Sequence, residues 1–147
     1  MSLNGSLKAV VNFTHTKDNV DLSTPSEVVN QTGSKTVRSG SIYHDTISLT
    51  ADTASVLTLS GGGLTDVFGQ SFDISALSGV YVKAGTGNAG DVYLSGGSDM
   101  IFNPLPALGA GEAFMFEGDI AISTSNDELT LWPDSTSGTV DVILIGS

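Results

Sequence analysis

Apolar and polar residues alternate with a period of two along most of this chain. Leu7, Ala9, Val11 and Phe13 share one parity and Lys8, Asn12 and Thr14 the other, the pattern of a strand with one buried face. Tyr43, Ile47 and Leu49 make a second such run, and Leu57 with Leu59 a third. Further strands are predicted at 72–74, 80–83, 92–94, 100–102, 113–116, 120–122, 128–132 and 139–145. The last alternates at Val140, Val142 and Leu144 but also carries Ile143 and Ile145, as a strand covered on both faces would.

Turn formers punctuate these runs: Gly61-Gly62-Gly63, Gly85-Thr86-Gly87-Asn88, Gly96-Gly97-Ser98-Asp99, Asn103-Pro104, Ser125-Asn126-Asp127 and Ser135-Thr136-Ser137-Gly138. Only Leu64-Thr65-Asp66-Val67-Phe68 suggests a helical turn, and no longer window keeps a 3.6-residue period. Short strands at this spacing predict an all-β fold, an antiparallel β-sandwich of jelly-roll-like type. Residues 1–147 read as one domain, with 14–40 an extended arm or long loop, because its apolar residues come only in short pairs such as Val28-Val29.

Composition and charge narrow the function. Gly, Ser and Thr make up more than a third of the chain, whereas 14% of residues are charged and 39% apolar, which fits neither a disordered chain nor a helical bundle. Cysteine is absent, removing disulfide frameworks, thiolate zinc sites and thiol nucleophiles. The net charge is −11. All five cations, Lys8, Lys17, Lys35, Arg38 and Lys83, precede residue 84 and share that region with seven acids; residues 84–147 hold nine acids and no Lys or Arg. A chain so charged is not expected to bind nucleic acid or an anionic membrane, since both need Lys and Arg to displace counterions. The opening residues lack a basic and apolar leader, and no window approaches the roughly 18 apolar residues of a membrane span. A soluble protein is expected.

Candidate chemistry is sparse. Gly85-Thr86-Gly87-Asn88-Ala89-Gly90 has the G-x-G-x-x-G spacing, but Asp91-Val92-Tyr93-Leu94 follows where a phosphate-binding helix would begin; a hairpin turn is the expected structure. There is no G-x-S-x-G elbow, and the two histidines, His15 and His44, have no spacing that suggests a base or a zinc ligand. Glu112, Glu117 and Asp119 around one strand, and Asn126-Asp127-Glu128 in a turn, lack the spacing of a calcium loop. Three N-x-[ST] sequons, at Asn4, Asn12 and Asn30, matter only on a secretory route. No catalytic residue, metal or cofactor is assigned, and the chain is not expected to be an enzyme. Trp132, Tyr43, Tyr81 and Tyr93 are the rings available to a sugar-binding platform. Trp132, followed by Pro133 at a strand end, is expected to act as a lid on the core.

The stretch Leu57-Thr58-Leu59-Ser60-Gly61-Gly62-Gly63-Leu64-Thr65-Asp66-Val67-Phe68-Gly69-Gln70 resembles a group of small proteins from tailed bacteriophages and prophages that read roughly L-D-L-(S/A)-G-x-L-T-D-x-F-G-x. The likeness extends through Leu7-Lys8-Ala9, His15-Thr16, Val80-Tyr81-Val82-Lys83, Asn88, Gly96-Gly97, Asp127-Glu128-Leu129-Thr130-Leu131 and the closing Val140-Asp141-Val142-Ile143-Leu144-Ile145-Gly146. The triple glycine and Thr58, where Asp is common in the group, are departures, and they put any polar role of that Asp in doubt.

The resemblance implies a virion structural protein. The expectation built on it is a capsid decoration, or cement, protein made in the cytoplasm of a bacterial host and located on the outer surface of the head. Its partner would be the major capsid protein, and it would assemble as a homo-oligomer, a trimer by preference. The cations place the contact in the N-terminal part, with Leu7, Val11, Phe13, Lys35 and Arg38 as the candidate residues. A head-fibre, neck or tail component and a glycan-binding module on the virion are the alternatives.

Overall fold

The computed structural model describes residues 41–94 and 107–147 throughout, and the backbone of two further strands. Those strands are β1 (Gly5–Thr16) and β2 (Ser26–Val37). They are followed by β3 (Ser41–Leu49), β4 (Ser55–Thr58), β5 (Leu64–Thr65), β6 (Ser71–Phe72), β7 (Ala76–Ala84), β8 (Val92–Leu94), β9 (Ala113–Ala121), β10 (Glu128–Pro133) and β11 (Gly138–Gly146). The described residues contain no helix. The helical turn expected at 64–68 is instead β5 and the turn that follows it. The strand expected at 100–102 lies outside the described residues.

Two sheets pack together as an antiparallel β-sandwich, one in the order β3-β11-β7-β9 and the other in the order β4-β10-β8. The chain changes sheet from β3 to β4 and at every step from β7 through β8, β9 and β10 to β11. This crossing corrects the hairpin expected at 85–88, because β7 and β8 belong to different sheets. Asn88 N–H closes the turn on the Gly85 carbonyl at 3.1 Å. Its side-chain amide then accepts from Thr139 N–H and donates to the Thr139 carbonyl, both at 2.9 Å. The amide thus pairs with β11 as a strand backbone would. Position 85 requires glycine, since a Cβ there would collide with Thr139 Oγ1.

Alternation places the core between the sheets. Val140, Val142 and Leu144 of β11 and Val80, Val82 and Ala84 of β7 are buried on one side. Leu57 of β4, Leu129 and Leu131 of β10, and Val92 and Leu94 of β8 meet them from the other. Each fully buried Val or Leu contributes about 1.5–3 kcal/mol by leaving water. Of the second set on β11, Ile145 is buried and Ile143 half-buried. Tyr43 and Phe72 close one end of the core with ring centroids 5.9 Å apart.

The runs expected separately at 113–116 and 120–122 are largely one edge strand, β9, which slips register by one residue opposite Leu77 and Gly79. The slip gives an edge carrying Glu117 and Asp119, features that discourage a second chain from pairing there.

Within the segment 14–40, expected as an arm or loop, Ser26–Val37 is a regular strand. It pairs antiparallel with β1 without a slip from Gly5↔Val37 to Thr16↔Ser26. Neither β1 nor β2 pairs with a strand of the sandwich.

Candidate functional site

The outer face of the three-stranded sheet carries the largest exposed aromatic surface among the described residues. Leu129, Leu131 and Pro133 of β10 are buried against the other sheet, so the opposite parity points away from it, with Trp132 exposed, Glu128 half-buried and Thr130 covered. Trp132 pairs in register with Tyr93 of β8, and Thr130 with Val56 of β4. Trp132 is 43% exposed, Tyr93 37% and Val56 46%. Trp132 is therefore not a lid on the core, contrary to expectation. Two leucines at the preceding alternate positions already occupy the inner face, and the pleat turns the indole outward.

Thr130 is only 3% exposed, and its Oγ1 has no hydrogen-bond partner. Asp91 and Asp134 stand at the rim beyond the two rings, with Asp134 N–H donating to the Asp91 carbonyl at 2.8 Å. Both aspartates are exposed. Val56 and Thr130 were not singled out from the sequence. The parity of Leu129 and Leu131 is the signal that would have assigned this face.

A second exposed feature is the β5–β6 turn. Asp66 Oδ1 accepts from Phe68 N–H at 2.9 Å and from Gln70 N–H at 2.8 Å, while Asp66 N–H donates to the Gln70 carbonyl at 2.7 Å. Gly69 takes φ +78°, a left-handed conformation that glycine adopts without steric cost. Val67 N–H donates to the Ile42 carbonyl at 2.9 Å, tying the turn to β3. The result is a braced tip on which Val67 and Phe68 are each 49% exposed.

The residues considered for chemistry do not converge. His44 is exposed on β3 and pairs in register with Ile143 of β11. Asn126 holds its own turn through N–H donation to the Ser123 carbonyl, Asp127 is buried and accepts from Ser60 Oγ, and Glu128 lies on β10 opposite Thr58. Glu112 accepts from Gly109 N–H at 2.9 Å and Asp119 from Ser78 Oγ at 3.1 Å. Among the described residues no three His, Asp or Glu side chains are grouped to hold a metal ion.

Burial first, and then the charge and hydrogen bond of Asp45, together push the pKa of the Tyr43 hydroxyl, which donates to Asp45, up to about 12.

For the contact residues, Leu7, Val11 and Phe13 fall on β1 and Lys35 on β2, with Leu7 in register opposite Lys35. Their side chains, that of His15, and all of Arg38 lie outside the described residues. No helix of the described residues is long and apolar enough to cross a membrane. No protein-family model matches the chain, and no curated protein and no solved structure is significantly similar to it.

Proposed function

We propose that this chain is a structural protein of a tailed-phage particle, a decoration or cement protein that docks on the outer surface of the assembled head through the β1–β2 ribbon. The ribbon is the observation that carries the reading. Two 12-residue strands pair with each other, and no other described strand hydrogen-bonds to either outer edge. A two-stranded ribbon is marginal alone in water and gains stability from a third strand or a surface to pack on. A neighbouring subunit supplies either one, by strand addition or by contact.

Charge supports the same assignment. Residues 1–40 hold Lys8, Lys17, Lys35 and Arg38 against Asp18, Asp21 and Glu27, a net +1. Residues 41–147 therefore carry −12 of the total −11, with Lys83 their one cation. A near-neutral grip on a strongly acidic body presents the cations to an acidic shell and the repelling charge to solvent. The antiparallel sandwich with strand orders β3-β11-β7-β9 and β4-β10-β8 supports a jelly-roll reading, an architecture used by viral capsid and lectin domains. The resemblance of Leu57 to Gln70 to phage structural proteins points the same way.

The mechanism is linkage. A protein that binds the assembled shell and not its dissociated subunits shifts the assembly equilibrium, and a trimer or other symmetric cluster multiplies a modest contact by avidity. Counting copies per virion by quantitative mass spectrometry tests the assignment. Hundreds of copies, released together with loss of shell stability, support decoration. A dozen or fewer overturn it in favour of a neck, tail or head-fibre position.

A further inference from the structure

We infer that the outer face of the three-stranded sheet binds a neutral saccharide, with the Trp132 and Tyr93 rings as its floor. None of the residues named for this site belongs to the ribbon, and the inference does not rest on head docking.

Three observations lead to this ligand. The first is the ring pair. Trp132 and Tyr93 are register partners on adjacent strands, which brings their Cβ atoms to about 5 Å and makes the two rings neighbours on one face. Flat aromatic surface of this kind suits the weakly polar C–H faces of a pyranose, because the ring face is electron-rich and the sugar C–H groups carry slight positive charge.

The second is electrostatic. No Lys or Arg belongs to β4, β8 or β10; Asp91 and Asp134 adjoin the rings at one end of the sheet, and Glu128 lies at the far end of β10 on the same parity. Phosphate, sulfate and sialic acid are repelled there, whereas the carboxylates accept hydrogen bonds from uncharged sugar hydroxyls.

The third is the Thr130 hydroxyl, the one buried side-chain polar atom without a partner among the described residues. It sits two residues from Trp132 on the same parity of β10. A buried hydroxyl left unpaired is costly, and a hydroxylated ligand at this face would supply the missing partner once the side chains over Thr130 shift to uncover it.

A protein partner fits less well. Among the described residues the large exposed apolar side chains of this face are only Trp132, Tyr93 and Val56, a small apolar centre for a stable protein interface.

Trp132 is the only tryptophan in the chain, so its emission reads the site directly. The full chain is titrated with hexamers of α-1,4-glucose, β-1,4-glucose and β-1,4-N-acetylglucosamine, and with sialyllactose and a heparin hexasaccharide as anionic comparators. A neutral hexamer is expected to give a saturable blue shift and to protect Trp132 from acrylamide quenching, and the anionic probes to give neither. By calorimetry, Trp132→Ala is expected to weaken binding about tenfold or more, and Thr130→Val to weaken it several-fold without loss of folding. Failure of all three neutral hexamers and of a wider neutral glycan array overturns the proposal. So does equal binding of the anionic probes, or a concentration-dependent self-association that Trp132→Ala abolishes, which would assign the face to a second copy of the chain.

Discussion

The Tyr43 hydroxyl donates to Asp45 Oδ2 at 3.3 Å, two residues along the same strand and on the same parity of it. Tyr43 is buried in the core end formed with Phe72, whereas Asp45 is exposed. The phenol is thus held neutral from two sides, by an apolar environment that disfavours a phenolate and by a carboxylate that repels one.

This arrangement sets an alkaline limit on stability. The folded pKa of Tyr43 is raised from 10.0 to about 12, so its stabilisation is fully present below pH 10 and is lost as pH rises from 10 to 12. The loss is on the order of 1–2 kcal/mol once solvent near Asp45 is allowed for. Urea denaturation at pH 8, 10 and 12 is expected to show it, with a shallower fall over the same window in Asp45→Asn and the shallowest in Tyr43→Phe. An unchanged slope in Tyr43→Phe would assign the alkaline loss to other groups.

Adjacent residues of β10 are expected to respond very unequally to truncation. Leu131 is fully buried between the sheets, and Leu131→Ala is expected to cost about 2–5 kcal/mol through lost transfer energy and a residual cavity. Trp132→Ala removes a ring that faces solvent and is expected to cost about 1 kcal/mol or less. Denaturant midpoints of the two variants give the comparison directly. A larger loss for Trp132→Ala would return the indole to the core.

The β5–β6 turn depends on one carboxylate oxygen that receives two backbone N–H groups. Asp66→Ala leaves both donors without that acceptor and is expected to lower stability by about 1–2 kcal/mol. Asp66→Asn keeps a carbonyl oxygen in place and is expected to lose less than half of that. Phe68→Ser, at the exposed tip, is expected to leave the melting temperature unchanged within error. Equal melting temperatures for the two Asp66 variants would show that the acceptor geometry does not brace the turn.

How far the fold can be read from the residues follows from which interactions determine each element. The strand at 138–146 is legible because Val140, Val142 and Leu144 alternate without interruption and are all buried. Position 66 misleads, since Leu64, Val67 and Phe68 have helical spacing, yet an Asp side chain that caps the following amides offers the backbone a turn instead. Gly85 to Asn88 carries true turn chemistry, but whether a turn joins neighbours in one sheet or passes between two depends on pairing far along the chain, here with Thr139. The strand at 26–37 has almost no hydrophobic alternation, and its partner β1 organises it. The outward face of β10 was readable from Leu129 and Leu131. Pro133 beside the indole drew attention to the strand end rather than to its parity.

The head-docking reading makes its sharpest demand on the ribbon's charge. Deleting residues 1–40 is a blunt test, because it removes two paired strands at once and can expose whatever surface they cover. Lys35→Glu with Arg38→Glu is gentler. Each reversal changes the charge by −2, taking the whole chain from −11 to −15 and residues 1–40 from +1 to −3. If the ribbon meets an acidic shell, attraction there becomes repulsion, so occupancy of purified heads at low salt is expected to fall several-fold. Adding salt should narrow the gap between native and variant chains, since screening weakens attraction and repulsion alike. Lys83→Glu is the control. It lies on β7 of the sandwich, paired in register with Asp141 and Ala113, and is expected to leave occupancy unchanged. A double variant that occupies heads as fully as the native chain at low salt, while circular dichroism and melting temperature stay the same, would remove the ribbon from the contact and move the search to the Val67–Phe68 tip.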